Sequence, residues 1–184
     1  MSGRLLKGRA QWARFAIIIA AGASWALPAL AQTAPAPDPA AAFLSKNRTA
    51  AGVVETASGL QYKVLTPGQD ESKPTDQDIA LVNYEGRLVD GTSFDKSAQP
   101  TPMPVAGVVP GFAEGLKLMA RGAKYRLWIK PALGYGSEAQ GPIPANSVLV
   151  FDVELLDFLP EATVRQMMEQ QQSQASSATP APQP

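Results

Sequence analysis

Apolar and polar residues alternate along several stretches in the middle of the chain, and this pattern predicts β-strands. The alternating or continuously extended stretches lie near residues 60–64, 79–88, 92–95, 124–129 and 149–155. In the last stretch Phe151 and Val153 flank Asp152, and an apolar spacing of two is typical of a half-buried strand. The Asp90-Gly91 pair between the second and third stretches favours a hairpin turn.

One segment within this region has helical rather than alternating periodicity. Phe112, Leu116 and Met119 fall at positions i, i+4 and i+7, which gives one apolar stripe on a helix. Gly122 lies where a left-handed cap could end that helix. Four or five antiparallel strands and one short helix predict an α+β fold in which a curved sheet wraps around the helix.

The two ends of the chain are poorer in apolar residues, so we place the folded unit at about residues 58–159. Residues 32–57 are predicted to be a leader that starts with an Ala- and Pro-rich stretch and contains a short helix from Pro39 to about Thr49. Residues 160–184 are predicted to be a flexible C-terminal tail, in which 161–174 could form a short glutamine-rich helix. Neither end has enough apolar surface for a core of its own.

Residues 1–31 have the three parts of a secretory signal peptide. Basic residues without any acidic one come first, an apolar run from Phe15 to Leu27 follows, and Ala29-Leu30-Ala31 supplies small residues two apart. A membrane anchor is the alternative, but the apolar run is shorter than the roughly 18–20 residues that span a bilayer. We therefore expect cleavage after Ala31, export and no stable membrane anchor.

Composition narrows the possible chemistry further. The chain of 184 residues contains neither cysteine nor histidine, so thiolate nucleophiles, Cys-based zinc sites and serine–histidine triads are excluded. A chain cleaved after Ala31 has 12 basic and 16 acidic residues, a net charge of −4, because the four basic residues of the removed segment are lost. This acidic balance disfavours a nucleic-acid partner, since binding to phosphates depends on Lys and Arg.

Recognisable cofactor and metal motifs are not found in the sequence. It has no phosphate-binding glycine loop, no zinc-protease helix and no dinucleotide fingerprint. Asp76 and Asp78 stand two apart, but no further carboxylates follow at calcium-loop positions, so we interpret them as solvated turn residues. We expect no metal and no cofactor.

Four segments of the predicted domain together resemble the FKBP family of peptidyl-prolyl cis-trans isomerases. They are VNYEGRLVDGTSFD (82–95), GVVPGFAEGLKLMARGAKYRLWI (107–129), LGYG (133–136) and IPANSVLVFDVELL (143–156). Their order and spacing are those of the family, and the resemblance extends over essentially all of residues 58–158. Residues 43–65 are also similar to the lead-in of bacterial periplasmic members, including the macrophage infectivity potentiator group, so the resemblance implies that the exported protein is periplasmic. The long dimerisation helix of that group has no counterpart in residues 32–57, so we expect a monomer.

The resemblance implies a half-barrel of antiparallel strands around one helix, with an aromatic pocket between them. It implies catalytic roles for Asp95, for the backbone N–H of Val109 and for the hydroxyl of Tyr135. The other implied pocket residues, which would hold the substrate, are Tyr84, Phe94, Met103, Val108, Phe112, Ile143 and Phe151. Two of these depart from the family pattern, because Phe112 stands where tryptophan is usual and Met103 where an aromatic ring is usual.

The expected function is prolyl cis-trans isomerisation that assists the folding of exported proteins, with proline-containing polypeptides as substrates and macrolides as possible inhibitors. Rotation about an X–Pro bond breaks no covalent bond, so it suits a chain without cysteine or histidine. Two alternatives remain open at this point. The same fold could serve as a chaperone or peptide-binding module with little turnover, or the terminal segments could bind a structural partner.

Overall fold

The computed structural model describes residues 38–177, so the predicted signal peptide, the Ala- and Pro-rich start of the leader (32–37) and residues 178–184 lie outside the described residues. The helices are α1 (Pro39–Asn47), α2 (Pro110–Leu118) and α3 (Glu161–Ser177). The strands are β1 (Val53–Glu55), β2 (Gln61–Thr66), β3 (Asp78–Leu88), β4 (Ser93–Lys96), β5 (Thr101–Pro104), β6 (Lys124–Ile129) and β7 (Leu149–Pro160). Short 3-10 turns cover Val105–Gly107 and Pro131–Leu133.

The strands form one antiparallel sheet that packs on helix α2. The strand order is β1-β2-β6-β7-β3-β4, and β5 pairs with β3 as well. Strands β3 and β7 pair along their whole length, from Asp78 opposite Pro160 to Leu88 opposite Leu149. Leu116 of α2 and Leu127, Val153 and Val82 of the sheet are fully buried between the two layers. The predicted α+β class, an antiparallel sheet wrapped on one short helix, is confirmed.

Strands β1 and β5 are the two that the sequence pattern did not indicate. Strand β5 has the sequence TPMP, and proline cannot donate to a sheet ladder, so alternating prolines argue against a strand. The structure resolves this conflict because β5 pairs on one side only, with β3, where Met103 lies opposite Ala80. The proline nitrogens can therefore face away from the ladder.

Helix α2 ends earlier than its apolar stripe suggested. Met119 is its C-terminal cap in an extended conformation (φ −89°, ψ 143°), although its side chain remains fully buried. Gly122 does adopt a left-handed conformation (φ 74°), but in the turn that leads into β6. There its N–H donates to the carbonyl of Leu155 at 2.7 Å, so this glycine joins α2 to the sheet and does not cap the helix.

Residues 39–55, which we expected to be a leader, are joined to the sheet. Strand β1 pairs with β2, and α1 buries Ala40 in a small cluster with Trp128 and Val148. Gln61, which the alternation placed on the polar face, is only 1% exposed. Its side-chain amide accepts a hydrogen bond from Asn47 and donates to Glu55 and to a backbone carbonyl of α1. The folded unit thus begins before Ser58.

Helix α3 follows β7 without a loop and reaches Ser177, beyond the 161–174 span in which a helix was considered. The N–H of Glu161 donates to the carbonyl of Gln77 at 2.9 Å, which attaches the first turn to the domain. Met167 and Met168 are 50% and 57% exposed. None of the helices between residues 38 and 177 is long and apolar enough to cross a membrane.

A half-buried ion pair on the sheet should make stability depend on pH. The carboxylate of Asp152 accepts hydrogen bonds from Arg126 Nε at 2.6 Å and Nη2 at 2.7 Å, and from Arg87 Nη1 at 3.3 Å. The hydrogen bonds from Arg126 and the charges of both arginines outweigh burial and hold the pKa of Asp152 below its ordinary value. Such a carboxylate stabilises the fold fully above its ordinary pKa and loses that contribution as the pH falls through the lowered pKa.

We expect Asp152→Asn to lower the free energy of unfolding at pH 7 by about 1–2 kcal/mol, because charged hydrogen bonds are lost. The deficit should begin to shrink as the pH falls below about 4, where the carboxylate of the unfolded chain becomes protonated, and should disappear below the lowered pKa of the folded protein. Urea unfolding at pH 7 and pH 3 measures both effects. Asp76→Asn, which removes an exposed pair with Lys117, serves as the control and should change stability little. A deficit of equal size at both pH values would contradict this account.

Candidate active site

An apolar cavity of about 310 Å³ opens where α2 meets the inner face of the sheet. Its walls come from β3, β4, β5, β7, helix α2 with the turn before it, and the loop after β6. The residues that line it are Tyr84, Asp95, Met103, Gly107, Val108, Val109, Phe112, Tyr135 and Phe151. Concave apolar sites with a few converging polar groups are the usual form of a small-ligand site.

Aromatic rings form the deepest part of this cavity. Phe112 lies in the first turn of α2, where Pro110 favours helix initiation, and it is 3% exposed. Its ring meets the ring of Phe151 edge-on with centroids 5.0 Å apart, and the ring of Tyr84 edge-on at 6.2 Å. Edge-to-face contacts of this kind add to area burial and fix ring orientation. The floor is therefore a rigid apolar surface.

The polar wall of the cavity is a hydrogen-bonded pair. The hydroxyl of Tyr84 on β3 donates to Asp95 Oδ2 on β4 at 2.8 Å. Burial of Tyr84, this hydrogen bond and the charge of Asp95 together raise the pKa of Tyr84 to about 12. The hydroxyl therefore keeps its proton throughout the neutral range, and Asp95 presents a carboxylate that is fixed at the cavity edge.

The backbone around Tyr84 is held by Ser97, a residue that the sequence did not point to. The Tyr84 N–H donates to Ser97 Oγ at 3.0 Å, and the Ser97 N–H donates to the Tyr84 carbonyl at 3.0 Å. These bonds continue the β3–β4 pairing just beyond Lys96, the last residue of β4. They keep Asp95 within reach of the Tyr84 hydroxyl.

A backbone N–H group without a partner in the described part of the chain lies in the turn before α2, at a residue that lines the cavity. Val109 is the residue that precedes the helix, with φ −57° and ψ 145°, and it lines the cavity. Within residues 38–177, the hydrogen bonds of turns and caps include none donated by the Val109 N–H. The first N–H groups of a helix have no partner within it, so this group is available to a ligand carbonyl.

The structure brings eight of the ten predicted site residues to the cavity surface. The two others are not among the lining residues: Phe94 packs edge-on against Phe151 with centroids 5.5 Å apart, and Ile143 is 6% exposed within the core. Tyr135 is 40% exposed at the mouth of the cavity, on the loop after β6. Gly107 also lines the cavity and was not predicted, although it directly precedes Val108 in the quoted GVVPGF segment.

No group of three or more His, Cys, Asp or Glu side chains that could hold a metal occurs within residues 38–177. The polar groups among the lining residues include the Tyr84–Asp95 pair, the backbone N–H of Val109 and the hydroxyl of Tyr135.

Comparison with known families agrees with this geometry. Residues 70–156 match the FKBP-type peptidyl-prolyl cis-trans isomerase family, and residues 28–64 match the domain that lies amino-terminal to such isomerases. The second match includes α1 and β1, which the structure joins to the sheet.

Relatives and solved structures support the same assignment. The isomerase FkpA of Aeromonas hydrophila is 46% identical over 117 residues, which cover 62% of this chain and 43% of the relative. The crystal structure of FkpA from Escherichia coli is 43% identical with a TM-score of 0.63, covering 66% of this chain and 58% of that one. A peptidyl-prolyl cis-trans isomerase from Pseudomonas syringae is 37% identical with a TM-score of 0.62, covering 65% of this chain and 90% of that structure.

The fold and the aromatic cavity define a protein of the FKBP type. The chain belongs to the FKBP-type peptidyl-prolyl cis-trans isomerase family. It spans less than half the length of the Aeromonas and Escherichia coli FkpA proteins that it matches, 43% and 41%.

Proposed function

We propose that this chain catalyses the cis-trans isomerisation of X–Pro peptide bonds in unfolded or exported polypeptides. The observation that carries the proposal is the cavity itself, which combines a rigid aromatic floor with an unpaired backbone donor at its edge. The floor suits the apolar proline ring, and the donor suits the carbonyl of an extended peptide.

The physical basis is that the cavity favours the twisted amide over the planar one. Resonance gives the amide C–N bond a rotation barrier of about 18–20 kcal/mol and separates charge between oxygen and nitrogen. Twisting removes most of that charge separation. An apolar site that takes the amide out of water therefore disfavours the planar form more than the twisted one. Each difference of about 1.4 kcal/mol gives a tenfold gain in rate.

The residues have separate tasks in this mechanism. Phe112 and Phe151 hold the proline ring, and the Val109 N–H fixes the chain by donating to a carbonyl beyond it. The hydroxyl of Tyr135, at the mouth of the cavity, donates to a second carbonyl. Asp95 supports the reaction through its hydrogen bond with Tyr84. This bond holds the Tyr84 ring and the Asp95 carboxylate in place beside the twisting amide.

A protease-coupled assay on a short proline peptide tests the proposal. The purified chain should accelerate cis-trans relaxation in proportion to its concentration, and a macrolide of the rapamycin class should inhibit by filling the cavity. The alternative function is a chaperone or peptide-binding module on the same fold. A pure binder would bind the peptide, for example in a titration followed by NMR, and leave the relaxation rate unchanged.

Asp95→Asn tests the electrostatic part of the mechanism. We expect kcat/KM to fall about tenfold, because a charged hydrogen bond contributes about 1.5–3 kcal/mol and only part of it acts on the reaction. The free energy of unfolding should change little, since the pair lies at an exposed edge. The coupled assay and urea unfolding measure the two quantities. Full activity in Asp95→Asn would exclude an electrostatic role.

The setting in which the protein works is also a proposal. The signal-type residues 1–31 support export to the periplasm, where newly exported chains supply proline-containing substrates. We further propose a monomer without nucleic-acid partners or a stable membrane anchor. A light-scattering mass near twice that of the mature chain would overturn the monomer.

A further inference from the structure

We infer that Gly86 is a positioning residue for the isomerase site, because the absence of its side chain lets Phe94 and Phe151 close over strand β3. This inference rests on the proposed function. It assigns a role in the site to a residue that has no side chain and does not line the cavity.

The requirement at Gly86 is one of space. A Cβ atom at this position would lie 2.6 Å from Phe94 Cε2, 2.7 Å from Phe94 Cζ and 2.7 Å from Phe151 Cε1. Gly86 is absent from the residues with positive φ, so any L-residue could adopt its backbone conformation. Carbon atoms in ordinary contact are about 3.5–4.0 Å apart, so even one methyl group has to displace a ring.

The position of Gly86 in the sheet links it to both walls of the cavity. It is buried on β3, with Asp95 of β4 as its partner on one side and Phe151 of β7 on the other. Phe94, which covers it, precedes Asp95 in the chain. A ring pushed away from Gly86 would therefore move the strand that carries the Asp95 carboxylate.

Displacement of these rings would reach the reacting groups through direct contacts. Phe94 meets Phe151 at 5.5 Å, and Phe151 meets Phe112 at 5.0 Å, in both cases edge-on. A shift on the Asp95 side lengthens the 2.8 Å hydrogen bond from Tyr84. Packed aromatic cores do not absorb an extra methyl group without such shifts.

Gly86→Ala is the direct test. We expect kcat/KM on the proline peptide to fall about ten- to a hundredfold, since misplacement by about 1 Å can cost that much. Phe94→Leu removes two of the three ring atoms nearest to Gly86 and leaves Phe151 Cε1 in place. In a Phe94→Leu background the same Gly86→Ala change should therefore cost less than in the wild-type chain, by a coupling of at least about 0.7 kcal/mol. An equal loss in both backgrounds, or activity within about threefold of wild type in Gly86→Ala, would overturn the inference.

A matched control is available in helix α2. A Cβ atom at Gly115 would also overlap a side chain, that of Leu127, but both residues lie away from the cavity lining. Gly115→Ala should therefore lower the unfolding temperature and leave kcat/KM of the folded protein unchanged. If Gly115→Ala lost as much activity as Gly86→Ala, the effect would be one of general destabilisation and the inference would be wrong.

Ionisation of Tyr84 gives a readout that does not depend on turnover. In protein with ¹³C-labelled tyrosine, Gly86→Ala should lower the pKa of Tyr84 below about 12, because the hydrogen bond and the charge of Asp95 are lost while burial continues to raise it. Phe94→Leu in addition should move the pKa of Tyr84 back towards its wild-type value. An unchanged pKa in Gly86→Ala would overturn the inference. A wild-type chain without isomerase activity would refute the proposed function, and the titration would still decide the role of Gly86.

The double variant Gly86→Ala/Phe94→Leu also decides the question if Gly86→Ala alone does not fold. If Gly86→Ala is unfolded by circular dichroism while Gly86→Ala/Phe94→Leu is folded and as active as Phe94→Leu, the space requirement is supported. If both are unfolded, Gly86 is a folding determinant and not a positioning residue for the site.

Discussion

Val109→Pro is expected to lower kcat/KM about ten- to a hundredfold while the domain stays folded. Proline removes the N–H that we propose as the donor to the substrate, and an unpaired carbonyl in the bound substrate costs about 1–3 kcal/mol. The backbone is already suitable, because Val109 has φ −57° and proline fixes φ near about −65°. Val108 before it is extended (φ −106°, ψ 170°), the conformation that a following proline requires.

Val109→Ala separates the backbone donor from the side chain. It keeps the N–H and removes only two methyl groups from the cavity wall, so its loss in kcat/KM should be the smaller of the two. The ratio of the two variants in the coupled assay therefore reports the hydrogen bond. Circular dichroism and the unfolding temperature check that Val109→Pro is folded. Equal kcat/KM values for the two variants would rule out the backbone donor as a substrate contact.

The alternation of apolar and polar residues was enough to predict the strands that have one apolar and one polar face. It failed where tertiary contacts bury a residue that the alternation places on the polar face. Strand β7 was predictable because Phe151 and Val153 point inward and Asp152 outward. The burial of Gln61 was not predictable, because a polar residue in an alternating strand is expected to face solvent. Only its hydrogen bonds with α1 and β1 explain why it is buried. Helix α1 was predicted as an element, but its packing on Trp128 depends on a partner about eighty residues away in the chain.

The site was predictable in composition and less so in arrangement. The resemblance supplied Tyr84, Asp95 and Phe112, which the structure brings together around one cavity. It could not show that Phe94 stands behind Phe151, because alternation along β4 is interrupted by the register shift between Gly86 and Arg87 on β3. No sequence pattern indicates the role of Gly86, since the close packing around a glycine in a strand is visible only once its neighbours in space are known.

Phe112→Ala is expected to have the largest combined effect on stability and activity. Phe112 is 3% exposed and contacts Phe151 and Tyr84, so its removal leaves a cavity in the core as well as a missing floor. The free energy of unfolding should fall by about 3–5 kcal/mol, the usual range for a buried phenylalanine. Under conditions where the variant is still folded, kcat/KM should fall at least about a hundredfold, because a loose pocket no longer fixes the proline ring.

Phe158→Ala is the matched control, because it separates the loss of a buried ring from the loss of the pocket floor. Phe158 is 9% exposed and packs under Arg121, whose guanidinium carbon lies 3.9 Å from the ring centroid, away from the cavity lining. Its replacement should destabilise the fold to a similar degree in urea unfolding and leave kcat/KM of the folded protein near that of wild type. If the two alanine variants lost the same activity per kcal/mol of stability, Phe112 would act only as a core residue. A selective loss in Phe112→Ala would instead identify the aromatic floor as the surface that holds the substrate.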